Sequence, residues 1–176
     1  MPYGKKLCMK KSMERLLVAD YATFTEFYNL FRCLSNVATG NHTQTGAVLH
    51  AVPALLRILQ GSHHSVISSV DVDVLKSINL EEDSCWTIGN IAGDSDEYRS
   101  ALLEYNVLQP IIVFLQQSLS SWTAACRAFE NSSQSSHRVL AAQHLGMAGT
   151  AVWALSNIAR GSTPGIIFIN SGMTGY

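Results

Sequence analysis

The sequence of 176 residues has few charged side chains, and this scarcity excludes several classes of protein. Charged residues make up 14% of the chain and hydrophobic residues 47%, whereas an ordinary globular domain has roughly 25% charged residues. A chain this apolar can bury enough surface to fold, so intrinsic disorder is excluded. The net charge of −1 lacks the basic excess that marks nucleic-acid-binding domains. We therefore expect one folded domain or a few repeat units, with no nucleic-acid partner.

Other missing features concern membranes, disulfides and catalysis. No stretch of 18 residues is apolar and uncharged, which excludes a membrane-spanning helix. The four cysteines lie far apart without a Cys-x-x-Cys pair, so reduced thiols in a cytosolic or nuclear protein are the simplest interpretation. The chain has no glycine-rich nucleotide motif and no Gly-x-Ser-x-Gly, and His63 and His64 have no further metal ligands at suitable spacing. We predict a protein that is not an enzyme and holds no cofactor or metal.

The few charges are unevenly distributed. Residues 1–15 carry five basic side chains and one acid, whereas residues 71–104 carry nine of the thirteen acids. The first 26 residues are interpreted as a basic N-terminal segment, and their apolar stretch is too short for a secretory signal. The acidic middle is either a solvated helix face or a surface that attracts a cationic partner, and the sequence leaves both interpretations open.

Three copies of one short pattern occur along the chain. Each copy has an apolar residue, a small residue, Asn, a β-branched residue and Ala, and the copies lie at 34–38, 88–92 and 155–159. After the first two copies the sequence predicts a short helix, at 45–51 or 97–105, and then an apolar helix with Pro near its start. Long and short helices that repeat in this order are typical of an α-solenoid. The prediction is therefore an all-α fold that forms a right-handed superhelix.

The spacing of the repeated Asn residues indicates the domain organisation. Asn36 and Asn90 are 54 residues apart and Asn90 and Asn157 are 67 apart, longer than the roughly 40–47 residues of armadillo-type repeats. We predict one domain over 27–176 with about three repeats and two insertions. The repeats are placed at about 27–67, 81–117 and 138–176, and the insertions at about 68–80 and 119–148. The first insertion is expected on the surface. In the second we expect loops at 118–121 and 131–136 and a helix at 136–147.

The residues around these copies resemble a known family. Segment 85–95 reads Cys-Trp-Thr-Ile-Gly-Asn-Ile-Ala-Gly-Asp-Ser and resembles the third armadillo repeat of the importin-α (karyopherin-α) family, which carries Trp-x-x-x-Asn followed by Ile-Ala-Gly-Asp. Trp153 to Asn157, with Arg160, resembles the next repeat, and 31–45 resembles the preceding one. The three copies follow the family order.

The resemblance implies a nuclear import adaptor that binds the basic nuclear localisation signals of cargo proteins. It also implies importin-β as a further partner and a location in the cytoplasm and nucleus. The peptide-binding residues that it implies are Asn36, Thr39, Gly40, Thr45, Trp86, Asn90, Asp94, Trp153, Asn157 and Arg160.

The chemistry of these side chains suits a basic peptide. Residues four apart share a helix face, so Trp86 lies beside Asn90 and Trp153 beside Asn157. An Asn side chain offers a donor and an acceptor to an extended backbone. The face of an indole ring suits the aliphatic stem of Lys or Arg, and a carboxylate such as Asp94 pairs with an ammonium group.

Each feature also has a purely structural interpretation. Tryptophan at helical spacing is often core, the Asn residues could form a structural ladder, and Asp94 could cap the helix that begins near Ser95. Arg32 stands where the family has Trp, and a cation there would repel a basic peptide unless Glu26 or an acid at 71–73 neutralises it. The alternative functions are an armadillo scaffold for protein assembly that no longer reads such peptides, or a non-functional truncated product.

Overall fold

Every regular element is a helix in the part of the chain that the structure describes, which is residues 24–61, 74–132 and 134–160 of a computed structural model. In chain order the α-helices are α1 (Phe24–Val37), α2 (His42–Val48), α3 (Val52–Leu59), α4 (Val74–Asp94), α5 (Asp96–Glu104), α6 (Leu108–Ser132) and α7 (Ser135–Ala159). One 3-10 turn, Leu49–Ala51, joins α2 to α3. The all-α prediction is confirmed, and the alternation of long and short helices agrees with a solenoid. The number and boundaries of the repeats stay predictions.

Some expectations fall outside the described residues. They include most of the basic segment 1–26, the pair His63 and His64, and the end of the third repeat. Part of the first insertion, 68–80, is described. Residues 74–80 belong to α4, and the insertion itself stays a prediction.

The junction between α1 and α2 is fixed by a reciprocal cap. The Asn41 side chain accepts a hydrogen bond from the Gln44 N–H at 3.0 Å, and the Gln44 side chain accepts one from the Asn41 N–H at 2.9 Å. This capping box satisfies two amide groups that a helix start leaves unpaired. In α3, Pro53 lies in the first turn, where a missing N–H costs no hydrogen bond. The short helices expected at 45–51 and 97–105 correspond to α2 with its 3-10 turn and to α5.

The central helix of the core is α4. It packs against α1, α2, α3, α5 and α7, and its side chains Ile88 and Ile91 are fully buried. The side chains buried around them come from the neighbouring elements and include Leu34, Val48, Leu55, Leu102 and Ile158. Complete burial of one such side chain stabilises a fold by roughly 1.5–3 kcal/mol. The helix with the second copy of the motif is thus held on several sides, which fixes the position of its polar residues.

The two longest helices, α6 and α7, form an antiparallel hairpin. Each is 25 residues long, and the two pack along each other. The loop predicted at 118–121 is wrong, because the Ser118 hydroxyl donates to the Phe114 carbonyl at 2.7 Å and a serine bonded in this way fits inside a helix. The loop predicted at 131–136 is reduced to the turn between the helices, and the helix predicted at 136–147 is part of α7. None of the described helices combines the length and apolar composition needed to cross a membrane.

Two glycines distinguish close helix packing from open surface. An added Cβ at Gly89 in α4 would lie 2.4 Å from Cζ3 of Trp153 and 3.2 Å from Cα of Ala154, whereas one at Gly149 in α7 would meet no atom within 4 Å. We expect Gly89→Ala to destabilise the fold by about 1–3 kcal/mol, because α4 and α7 must separate. Gly149→Ala should stabilise it by about 0.5–1 kcal/mol through helix propensity. Urea unfolding measures both, and shifts of the same sign would contradict this packing.

Candidate peptide-binding groove

A shallow groove of about 340 Å³ lies where the C-terminal parts of α1, α4 and α7 come together. We call it the central groove. It is lined by eight of the ten predicted site residues, which are Thr39, Gly40, Thr45, Asn90, Asp94, Trp153, Asn157 and Arg160. The other two do not line it. Asn36 is exposed at the end of α1, and Trp86 is half-buried on α4.

Asn157 fixes the register between α4 and α7. Its Nδ2 donates to the carbonyl of Gly89 at 3.0 Å, and the side chain is almost fully buried. The ring of Trp153 lies against Gly89, which places Trp153 and Asn157 of α7 side by side against one turn of α4. The structural-ladder interpretation therefore holds for the amide donor of Asn157, since that donor is used within the protein.

Asn90 occupies the equivalent place in the preceding copy of the motif, but its amide is not used in the same way. Its Nδ2 is buried and has no hydrogen-bond partner among the described residues. A buried donor without a partner costs about 1–3 kcal/mol, and a carbonyl oxygen from a ligand would remove that cost. Asn90 lines the central groove, so a small rotation of its side chain, which frees the covered Nδ2, is enough to present this donor to a ligand.

Asp94 ends α4 and supplies the carboxylate of the groove. The interpretation that it caps α5 is wrong, because the N-cap is Ser95, whose side chain accepts a hydrogen bond from the Tyr98 N–H. The Asp94 side chain is 19% exposed, and its Oδ2 lies 2.5 Å from Nδ1 of His42. Sequence reasoning missed His42, because it lies 52 residues away and no motif connects it with Asp94.

The opposite wall contains Thr45 and the turn after α1. Thr45 is buried, and its hydroxyl donates to the carbonyl of Ala38 at 3.3 Å, which ties α2 to the end of α1. A hydroxyl that donates one bond still has lone pairs to accept others. The N–H of Gly40 donates to the carbonyl of Val37, so this wall is held by bonds within the protein.

The far end of the groove carries an aromatic ring and a cation. Trp153 is 37% exposed, so the core interpretation does not describe it. Arg160 follows α7 as its C-cap residue and is exposed. The groove therefore has a carboxylate from Asp94, an exposed indole face and a guanidinium, and it is not uniformly acidic.

Arg32, which stands where a tryptophan was expected, is paired. Its Nη1 lies 3.4 Å from Oδ2 of Asp83 on α4, whereas the side chain of Glu26 and the acids at 71–73, which were expected as partners, lie outside the described residues. Burial raises the pKa of Asp83, and the Arg32 charge offsets part of that rise. An ion pair this exposed stabilises a fold by about 1 kcal/mol at most. Arg32 does not line the central groove.

Cys85, beside Trp86 on α4, has the properties of a structural thiol. It is fully buried, and burial, with the nearby charge of Glu82, raises its pKa to about 12. The thiol is therefore protonated at neutral pH and is a poor nucleophile. Within the described ranges, the cysteines are free and no group of three or more His, Cys, Asp or Glu side chains could hold a metal ion.

A second cavity, of about 640 Å³, lies among α3, α4 and α6 and is lined in part by Glu81. Burial raises the pKa of Glu81 from 4.5 to about 7. The folded chain thus holds this proton more tightly than the unfolded chain, and the resulting stability is present below pH 4.5 and lost as pH rises through about 7.

We expect ionisation of the Glu81 carboxyl to lower the free energy of unfolding by about 1 kcal/mol from about pH 5 to 8, after allowance for partial exposure. Urea unfolding should show this decrease in the free energy of unfolding for the parent protein but not for Glu81→Gln. Parallel pH profiles for the two proteins would contradict the role of Glu81.

Comparison with known proteins gives relatives among the importin α subunits. The chain is 27% identical to the probable importin subunit alpha-A of Dictyostelium discoideum over 130 residues, which cover 73% of this chain and 19% of that protein. It is 28% identical to importin subunit alpha-9 of Arabidopsis thaliana over 129 residues, which cover 73% of this chain and 18% of that protein. No protein-family model matches the sequence.

The chain thus spans about a fifth of the length of these curated relatives. Both are named as importin subunits and neither as an enzyme. The similarity and the helical architecture support an armadillo-like, protein-binding module.

Proposed function

We propose that this chain is an importin-α-like module that binds lysine-rich segments of the nuclear localisation type in the central groove. One observation carries the proposal. Asn90, with its unpaired buried amide, and Asp94, with its carboxylate, lie four residues apart on the same helix and line the same groove. The proposal includes the cargo proteins, the importin-β partner and the cytoplasmic and nuclear location that the importin-α resemblance implies.

The spacing of these two groups suits an extended peptide. Residues four apart on a helix have Cβ atoms about 5–6 Å apart, so one ligand residue can reach both. A main-chain carbonyl of the peptide accepts from Nδ2 of Asn90, while a neighbouring lysine side chain brings its ammonium to Asp94. The Asp94 side chain is only 19% exposed, and a partly desolvated carboxylate attracts a cation more strongly than a surface one.

The other walls fit the same ligand. The exposed face of Trp153 can pack on the aliphatic stem of a lysine, and Thr45 can accept a hydrogen bond from its ammonium. Asn157 contributes less, because its amide donor already bonds to Gly89. We therefore expect one dominant lysine position, next to Asp94, and an affinity set mainly by that position.

Fluorescence anisotropy tests the proposal directly. A labelled peptide with a run of lysines is titrated with the protein beside a matched peptide in which glutamine replaces every lysine. We expect the lysine peptide to bind at least about tenfold more tightly, which corresponds to about 1.4 kcal/mol, and to lose affinity as salt screens the ion pair. Equal affinities for the two peptides would rule the proposal out.

A scaffold for protein assembly is the second candidate, and the surface of α7 favours it. Leu145 and Val152 are 50% and 54% exposed and lie seven residues apart, on one face of α7, and Val139 is 67% exposed elsewhere on the helix. Exposed apolar side chains that share a face often mark a protein contact. The same titration separates the two functions, because a scaffold that no longer reads basic peptides has no preference for lysine over glutamine.

A further inference from the structure

The His42 side chain contacts the Asp94 carboxylate, on which the proposed lysine site depends. We infer that this histidine is a built-in competitor of the incoming lysine, and that it lowers the affinity of the groove for a basic peptide. The inference rests on the proposed function and adds a residue that was not among the predicted site residues. It concerns the regulation of the same groove.

The His42 ring is held in place on two sides. Its Nδ1 lies 2.5 Å from Oδ2 of Asp94, and its plane stacks on the Tyr98 ring with centroids 4.5 Å apart and an angle of 8°. The Tyr98 hydroxyl also donates to the His42 carbonyl at 2.9 Å. One tyrosine thus fixes both the backbone and the side chain of His42, so the imidazole is pre-positioned for the carboxylate.

The exposed fractions of the two side chains show which of them lies nearer the solvent. The side chain of His42 is 58% exposed and that of Asp94 is 19% exposed. The imidazole therefore lies nearer the solvent, and a ligand ammonium that pairs with Oδ2 of Asp94 must displace it. His42 is the first residue of α2, directly after the capping box of Asn41 and Gln44. Displacement therefore means rotation of the side chain, with the backbone kept in place.

The stack on Tyr98 keeps the competitor in place. Burial, together with the charges of Asp94 and Glu97, raises the pKa of Tyr98, so the hydroxyl stays protonated at neutral pH and keeps its bond to the His42 carbonyl. The outcome of the competition depends on how well the imidazole and the incoming ammonium each pair with the Asp94 carboxylate.

The test is an anisotropy titration of the labelled lysine-rich peptide at neutral pH. We expect His42→Ser to bind it about three- to fivefold more tightly than the parent protein, because the competing contact with Asp94 is removed and a pair whose imidazole is 58% exposed is weak. His50→Ser is the matched control, because His50 is also exposed whereas the imidazole that contacts Asp94 is that of His42. It should behave as the parent does, and thermal unfolding verifies that each variant is folded.

The imidazole nitrogens provide a second measurement that does not depend on a stable His42 variant. In nitrogen-15 spectra of the parent protein, the lysine peptide should shift the His42 signals towards those seen in Asp94→Asn without peptide. If the peptide binds but leaves these signals unchanged, or if His42→Ser and the parent bind it equally, the inference fails while the proposed function stands. If neither protein binds the lysine peptide in preference to its glutamine counterpart, the proposed function fails and the inference fails with it.

Discussion

Replacement of Asp94 by lysine should weaken the binding of a lysine-rich peptide by at least about 30-fold, or about 2 kcal/mol. The substitution puts an ammonium group where the ligand's own ammonium must lie, and it turns an attraction into a repulsion. The Asp94 side chain is only 19% exposed, so water and salt screen a charge there less than they would on a fully exposed side chain. Anisotropy titration against the parent protein measures the loss.

Glu97→Lys is the matched control for this substitution. Glu97 is exposed in the first turn of α5, three residues from Asp94, and does not line the central groove. The change in charge is identical, so any general effect of net charge on a basic peptide appears in both variants. We expect less than a threefold loss for Glu97→Lys, or about 0.6 kcal/mol. Equal losses in the two variants would mean that the peptide responds to the charge of the whole surface and does not dock at Asp94.

Asn157→Asp should lower the free energy of unfolding by about 3 kcal/mol at neutral pH. The exchange is almost isosteric, but it replaces the donor that bonds to the Gly89 carbonyl at 3.0 Å with a carboxylate oxygen. Asn157 is 3% exposed, so the new charge has no solvent to stabilise it. The substitution thus removes the hydrogen bond that holds α7 in register with α4.

The loss should depend on pH with a definite sign. A carboxyl group in this place has a native pKa above its unfolded value, because burial disfavours the charged form. The native state then holds the proton more tightly, and the destabilisation grows as pH rises and shrinks in acid. Urea unfolding of Asn157→Asp and the parent protein should show a larger loss of stability at about pH 8 than at about pH 5. Asn36→Asp, the same exchange at an equivalent but exposed position, should cost less than about 0.5 kcal/mol, and a loss as large as that of Asn157→Asp would contradict the assignment.

Periodicity and turn residues were sufficient to predict the helices, and the reasons are local. The proline in the first turn of α3 and the capping box of α2 depend on contacts within one or two helical turns. The loop predicted at 118–121 failed because serine was taken as a helix breaker. In α6 the Ser118 hydroxyl bonds back to the preceding turn, and serine then costs a helix little.

Most residues that line the groove could be predicted from the sequence, but their hydrogen bonds could not. Asn90 and Asn157 stand in the same motif, yet one amide is unpaired and the other bonds to Gly89. That difference depends on the distance between each pair of long helices. A short sequence motif does not indicate this distance. The contact between His42 and Asp94 likewise arises from the packing of α2 and α5 against the end of α4, and no spacing in the sequence indicates it.

The hairpin of α6 and α7 has a consequence for the order of folding. Its two helices are neighbours in the chain, since α6 ends at Ser132 and α7 begins at Ser135, so bringing them together costs little loop entropy. Local contacts of this kind form quickly, whereas contacts between distant segments form late. The central groove takes residues from Ala38 to Arg160, and during synthesis at about 5–20 residues per second its last wall leaves the ribosome seconds after its first. A nascent chain therefore has no complete groove with which to capture a basic peptide, and that capacity arises only when α7 docks on α4.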